Sequence, residues 1–270
     1  HLDFIGLILI ATIATTIMLF ITNFNWLYMV AALVVIAIFT FYIKNAKHPL
    51  VDKSCFQNKR YASYLFIVFV MYAIQLGYIF TFPFIMQQIY HFKLDTTSLL
   101  LIPGYLVAVV IGALSGKIGH FLSSKQAIIT AIVLIAFSLL LSSLTVGTHV
   151  SIFVISMILF AGSFALMYAP LLNETIRTID TKLTGVAIGF YNLIINVAVS
   201  VGIAVAAVLI DHKSLNLPGH HSVATHFGVI LMILGIMSIL GLILFIILNK
   251  WTQSESNSQS SEPNSIKVPE

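Results

Sequence analysis

The sequence predicts an all-α integral membrane protein with about eight transmembrane helices. Hydrophobic residues make up 59% of the 270 residues and charged residues only 8%, whereas a water-soluble domain carries roughly 25% charged residues. The apolar residues form continuous runs of about twenty, the length that an α-helix needs to cross roughly 30 Å of hydrocarbon. The runs do not show the alternation of membrane-spanning strands, so the predicted spans are helices.

Eight such runs follow one another along the chain. We place them at roughly 4–22, 26–43, 63–85, 98–118, 127–147, 151–171, 185–210 and 227–249. Lysines and arginines concentrate on one side of this arrangement, in the connections at 44–62, 119–126 and 172–184 and after residue 250. Because such residues mark the cytoplasmic side, we expect both ends of this chain in the cytoplasm, with a bacterial inner membrane as the host.

The polar connection at 44–62 divides the chain into a helix pair (1–43) and a six-helix domain (63–249). Residues 250–270 are rich in Ser, Asn and Gln and cannot bury enough surface to fold alone, which predicts a disordered cytoplasmic tail. The chain begins at His1 without the pattern of a signal peptide. We therefore expect that an N-terminal segment precedes it.

Catalytic and metal-binding patterns are absent from the sequence. It contains no Gly-rich phosphate loop, no HExxH and no Gly-x-Ser-x-Gly, so we expect neither an enzyme nor a cofactor or metal site. All nine acidic residues fall in loops, tails or helix ends, which leaves no obvious proton carrier at membrane depth. The basic residues lie in short loops between spans, and this distribution argues against a nucleic-acid partner.

Polar and aromatic side chains inside the spans are the candidates for substrate binding. Gln75 lies at helical spacing from Met71, Tyr78 and Phe82. An amide side chain that has no hydrogen-bond partner in lipid is unfavourable by roughly several kcal/mol. Aromatic faces attract cations. The same stripes are compatible with helix packing alone, and both interpretations stay open. The candidate set is Gln75, Tyr78, Phe82, Phe164, Tyr168, Asn192 and Asn196.

Four stretches carry a family resemblance. They are Pro49 to Asp52 with Phe56 to Tyr61, Pro83 to Gln88 with Pro103, Gly112 to Lys125, and Thr184 to Gly202. Together they resemble the fourteen-helix drug–proton antiporters of the major facilitator superfamily, the multidrug efflux type, from helix seven to helix fourteen. The resemblance covers residues 1 to about 250.

The resemblance implies a gating loop after the fourth predicted span. Its residues in this chain are Gly112, Gly116, Lys117, His120 and Lys125. His120 stands where the family usually has Asp, Ser123 where it has Gly, and Ser98 replaces a frequent Gly before that span.

The resemblance also implies a function. It identifies 1–43 as an inserted helix pair and 63–249 as the C-terminal half of a transporter that works by alternating access. The expected partners are lipophilic or cationic small molecules, protons, the lipid bilayer and a missing N-terminal six-helix half that supplies the coupling carboxylates. A transporter with a narrower substrate and a non-transporting membrane scaffold are the alternatives.

Overall fold

The computed structural model describes residues 4–23, 25–45, 58–212 and 222–260. Within these ranges the chain forms eight α-helices, a 3-10 turn at Thr181–Leu183 and no β-strand. The helices are α1 (Phe4–Asn23), α2 (Trp26–Asn45), α3 (Lys59–Gln88), α4 (Leu94–Phe121), α5 (Ser124–Thr145), α6 (Val150–Ile176), α7 (Thr184–Asp211) and α8 (Val223–Ser260). The all-α fold class is confirmed, and each helix corresponds to one predicted apolar run, although the run at 127–147 ends two residues beyond α5.

The helices α3 to α8 are long and apolar enough to cross a membrane by length and composition. Helices α1 and α2 are apolar and shorter, with 20 residues each, which corresponds to about 30 Å of helix. The chain is therefore a multi-pass membrane protein. Its division into a helix pair and a six-helix domain stays a prediction.

Helix ends extend beyond the apolar runs because polar residues cap them. Asn58 precedes α3, and its side-chain oxygen accepts hydrogen bonds from the backbone amides of Arg60 and Tyr61. At the other end of the chain, α8 continues to Ser260, ten residues into the stretch predicted as a disordered tail. Extending an existing helix fixes one residue per hydrogen bond and needs no new nucleus, so polar residues can continue it. Residues 261–270 lie outside the described part of the chain.

The central helix of the bundle is α3. It packs mainly against α7 and α8 and also touches α4 and α6, while α5 and α6 pack together and α5 packs against α8. Large side chains of α3, including Tyr61, Tyr78 and Phe82, are fully buried at these contacts. Helix α1 packs against α2 and α7. The bundle thus surrounds one helix, α3, whose side chains reach most of its neighbours.

Contacts between helix ends establish a common basic end of the bundle. Asn58 donates a hydrogen bond to the carbonyl oxygen of Thr178 just after α6, and the Tyr64 hydroxyl donates to Asn249 near the end of α8. The beginnings of α3, α5 and α7 therefore lie beside the ends of α4, α6 and α8. We call this the basic end, and it carries Lys59, Arg60, Lys117, Lys125, Arg177, Lys182 and Lys250.

Candidate functional site

A cavity of about 350 Å³ opens between α3, α4 and α6. Helix α3 contributes Tyr72, Gln75, Tyr78, Ile79 and Phe82. These positions recur at three or four residues, the spacing that places side chains on one helical face. The remaining lining residues are Leu101, Tyr105, Ala108 and Gly112 of α4, and Met157, Phe160, Ala161, Phe164, Ala165 and Tyr168 of α6.

Aromatic rings form a continuous wall along this cavity. The rings of Tyr72 and Phe164 meet edge to face with centroids 5.1 Å apart, and Phe164 stacks on Phe160 at 6.4 Å. Phe160 in turn lies 4.5 Å from Tyr78. Aromatic pairs at these separations stabilise each other beyond the area that they bury. The wall is therefore held in place by ring contacts between α3 and α6.

The hydroxyl of Tyr78 is fixed by a chain of hydroxyl groups behind the wall. It lies 3.1 Å from the Ser142 hydroxyl of α5, which lies 2.6 Å from the Ser156 hydroxyl of α6. Ser156 also donates to the carbonyl oxygen of Phe153 at 2.7 Å. All three hydroxyl-bearing residues are buried, so the hydrogen bonds satisfy polar groups that water does not reach.

The described residues that line the cavity include no charged side chain. The polar residues among them are Gln75, Tyr72, Tyr78, Tyr105 and Tyr168, of which Tyr78 bonds through its hydroxyl to Ser142 behind the wall, and the rest of the lining is apolar. Tyr168 is 49% exposed, so it stands at an open side of the cavity. Such a surface suits an apolar or aromatic molecule that is oriented by a few hydrogen bonds.

Five of the seven candidate substrate residues come together in this cavity. Gln75, Tyr78, Phe82, Phe164 and Tyr168 line it, whereas Asn192 and Asn196 do not. Both asparagines are exposed on α7, and the Asn196 side chain donates to the backbone oxygen of Asn192 at 2.9 Å. A substrate-binding role stays a prediction for all seven.

Sequence reasoning missed several lining residues, above all Tyr72 and the α4 residues Leu101, Tyr105 and Ala108. Tyr72 lies three residues before Gln75, so the helical spacing that singled out Gln75 also includes it. The α4 residues gave no comparable signal because they differ little from other apolar residues of that span. Only the packing of α4 against α6 identifies the face that reaches the cavity.

The residues of the predicted gating loop are dispersed around the α4–α5 connection. Gly112 lines the aromatic cavity, and Gly116 lines a second cavity of about 400 Å³ at the basic end, together with Gly119, Ser123 and Asn173. Ser123 caps α5 in a capping box with Gln126. Lys117 and Lys125 line neither of these two cavities, and the side chain of His120 lies outside the described part of the structure. A gating role for the loop stays a prediction.

Among the residues whose burial the structure describes, one acidic side chain is buried. Glu174, in the last turn of α6, is 3% exposed; its Oε1 atom lies 3.4 Å from the Arg177 guanidinium, and its Oε2 atom has no partner among the described residues. The sequence placed this residue in a loop at the end of a span. Its burial arises because the beginning of α3 covers the end of α6 there.

Two helices present largely uncovered faces. Only 6% of the apolar span of α4 and 22% of that of α7 is buried, compared with 39% to 56% in the other long helices. Gly112 and Gly116 on α4, and Gly185 and Gly189 on α7, have nothing within 4 Å of the position of a Cβ atom. Such glycine-containing faces allow close approach of another helix.

A comparison with models of known protein families finds a match over most of the chain. The family model described as Major Facilitator Superfamily aligns with residues 3–203. The match begins next to α1 and ends within α7, so it includes all three helices that line the aromatic cavity.

Proposed function

The chain belongs to the major facilitator superfamily of membrane transporters, and we propose that it forms part of a proton-coupled exporter of hydrophobic or cationic small molecules. The observation that carries the proposal is the aromatic cavity between α3, α4 and α6, whose lining contains no charged side chain. Aromatic faces attract cations, methionine adapts to different shapes, and Gln75 offers an amide that donates and accepts.

The uncovered faces of α4 and α7 support a second six-helix half as a partner of this chain. An amide that faces hydrocarbon has no hydrogen-bond partner there, and this is unfavourable by roughly several kcal/mol. The exposed side chains of Asn192 and Asn196 therefore suit a protein interface or a water-filled cavity better than lipid. In the proposed transporter, the substrate binds between the two halves, and access alternates as they rock.

The coupling proton is assigned to the other half. No carboxylate lines the aromatic cavity, and Glu174 lies at the basic end of α6. A carboxylate at membrane depth is the usual mark of a proton pathway. We place the basic end, with the loop residues Lys117, His120 and Lys125, on the cytoplasmic side of a cell membrane, where this loop gates the cavity.

Proton flux out of proteoliposomes that contain the full-length gene product tests the proposal. Ethidium, a flat aromatic cation, is the probe. Addition of ethidium should release protons from the lumen, and Gln75→Ala should reduce this flux severalfold with no loss of folded protein. Leu240→Ala on the exposed face of α8, outside the cavity, is the matched control.

Three results distinguish the alternatives. Competition by unrelated dyes supports a broad substrate range, whereas flux driven by a single compound would identify a narrow transporter. If the folded full-length protein shows no proton flux with any compound, including protonated lipophilic amines, the result would support a membrane scaffold and overturn the proposal.

A further inference from the structure

Two tyrosine hydroxyls at one end of the aromatic cavity lack hydrogen-bond partners. Tyr72 is 5% exposed and Tyr191 is 1% exposed; neither hydroxyl meets hydrogen-bond geometry with any described residue, and each interacts with the other. The two groups lie beside each other, with Tyr168 close by. Tyr72 and Tyr168 belong to the cavity lining, and Tyr191 stands behind Tyr72 on α7.

The other buried hydroxyls along α3 near the cavity have hydrogen-bond partners. The Tyr78 hydroxyl is hydrogen-bonded to the Ser142 hydroxyl, and the Tyr61 hydroxyl donates to the carbonyl oxygen of Ala187 at 2.8 Å. Thr81 donates to the backbone oxygen of Gly77. Six buried side-chain polar atoms lack a partner in the described part of the chain, and only the Tyr72 hydroxyl belongs to a cavity-lining residue.

An unbonded hydroxyl in an apolar environment is unfavourable by about 1–3 kcal/mol. If Tyr72 and Tyr191 bond to each other when the side chains adjust, the pair still has one hydrogen and several lone pairs unused. The Tyr72 ring lines the cavity, and its buried hydroxyl comes within reach of a ligand when the Tyr72 side chain turns. The ligand that satisfies them must bring its own hydrogen-bonding atoms.

The positions along α3 orient such a ligand. Tyr72 lies towards the basic end, and Phe82 lies ten residues further along the helix, about 15 Å away. Between them the cavity is lined by the rings of Phe160 and Phe164 and by Met157. A polar head beside Tyr72 therefore places an apolar body along this wall.

We propose that Tyr72, supported by Tyr191 and Tyr168, forms a polar subsite for the N–H group of a lipophilic amine. The inference rests on the proposed function and defines its substrate class. A protonated amine donates N–H hydrogen bonds to the phenol oxygen and also interacts with the aromatic faces. A quaternary ammonium interacts with the rings only and leaves the Tyr72 hydroxyl unbonded.

Binding of two matched ligands to the full-length protein tests the subsite. The ligands are 4-phenylbutylamine, protonated at pH 7, and 4-phenylbutyltrimethylammonium, and the readout is the thermal midpoint of the detergent-solubilised protein as each is titrated. We expect the amine to bind about tenfold more tightly, as one hydrogen bond to a charged group contributes on this scale. Tyr72→Phe should abolish the difference and should itself leave the unliganded protein at least as stable.

Tyr78→Phe is the control, because it changes the same cavity wall at a hydroxyl that is already bonded to Ser142. It should retain the tenfold preference. Equal binding of the two ligands to the wild type, no shift with either, or an unchanged preference in Tyr72→Phe would overturn the inference. Ethidium-driven proton flux is measured separately, so equal binding together with intact flux would reject the amine subsite while leaving the proposed transport function in place.

Discussion

Gly202 of α7 lies directly against the backbone of Ala73 in α3. A Cβ atom at position 202 would stand 2.8 Å from the Ala73 Cα atom and closer still to its carbonyl oxygen. One turn along α3, a Cβ atom at Gly77 would lie 3.4 Å from the carbonyl oxygen of Gly202. Small residues therefore allow α3 and α7 to approach each other behind the cavity, as they do at many helix contacts in membranes.

Gly202→Ala should destabilise the bundle by about 1–3 kcal/mol, because the added methyl group meets backbone atoms and the helices must separate. The measurement is the thermal midpoint of the purified protein in detergent. Gly241→Ala on α8 is the control: there a Cβ atom would lie 3.5 Å from the Met71 sulfur, an ordinary contact. The control should be neutral or stabilising by up to about 1 kcal/mol, since alanine is the better helix former. Equal midpoints for both variants would contradict the packing argument.

The hydroxyl chain Tyr78–Ser142–Ser156 should behave as a coupled unit. Ser142→Ala leaves the buried Tyr78 hydroxyl without its partner, which should cost about 1–3 kcal/mol. The double variant Ser142→Ala with Tyr78→Phe removes both groups and should be less destabilised than the sum of the single variants. A double-mutant cycle from thermal or denaturant unfolding measures this coupling. Additive effects would show that the two hydroxyls do not depend on each other.

Asn58 combines two roles at the beginning of α3, and two substitutions separate them. Its side-chain oxygen accepts from the backbone amides of Arg60 and Tyr61, while its nitrogen donates to the Thr178 carbonyl oxygen at 2.6 Å. Asn58→Asp keeps the helix cap and loses the donor, so it should destabilise less than Asn58→Ala, which loses both. The alanine variant should cost about 1 kcal/mol for the cap alone. An aspartate variant as unstable as the alanine variant would assign the whole effect to the Thr178 contact.

The fold was predictable because hydrocarbon thickness sets the length of an apolar run. Each predicted run matches one observed helix, and seven of the eight lie wholly within it; the run at 127–147 ends two residues beyond α5. The helix ends were less accurate, since they depend on caps such as Asn58 and Ser123, and hydropathy does not register these. Hydropathy likewise did not indicate that α8 extends to Ser260, because the added residues are polar.

The candidate site was predictable along single helices and not between them. Gln75, Tyr78 and Phe82 were identified because they repeat on one face of α3. Asn192 and Asn196 also repeat on one face, but helix spacing does not tell which face of α7 meets α3. The buried face includes Tyr191 and Gly202, which leaves the two asparagines on the uncovered side. The unpartnered Tyr72 hydroxyl likewise depends on which helices meet around it.

The uncovered face of α7 should contact water in the full-length transporter. Cys55 is the only cysteine in this sequence, so a full-length background in which Cys55 and any cysteine of the other half are replaced by serine allows single cysteines at Asn192 and Asn196. Both should react with a water-soluble maleimide in membranes, because a cavity between two halves admits water to this face. Leu240→Cys, on an equally exposed but wholly apolar part of α8, should stay unreactive because lipid covers it. If the cysteines at positions 192 and 196 are as unreactive towards maleimide as the cysteine at 240, the asparagines lie against lipid or a dry interface. The proposed cavity between the halves would then not include α7.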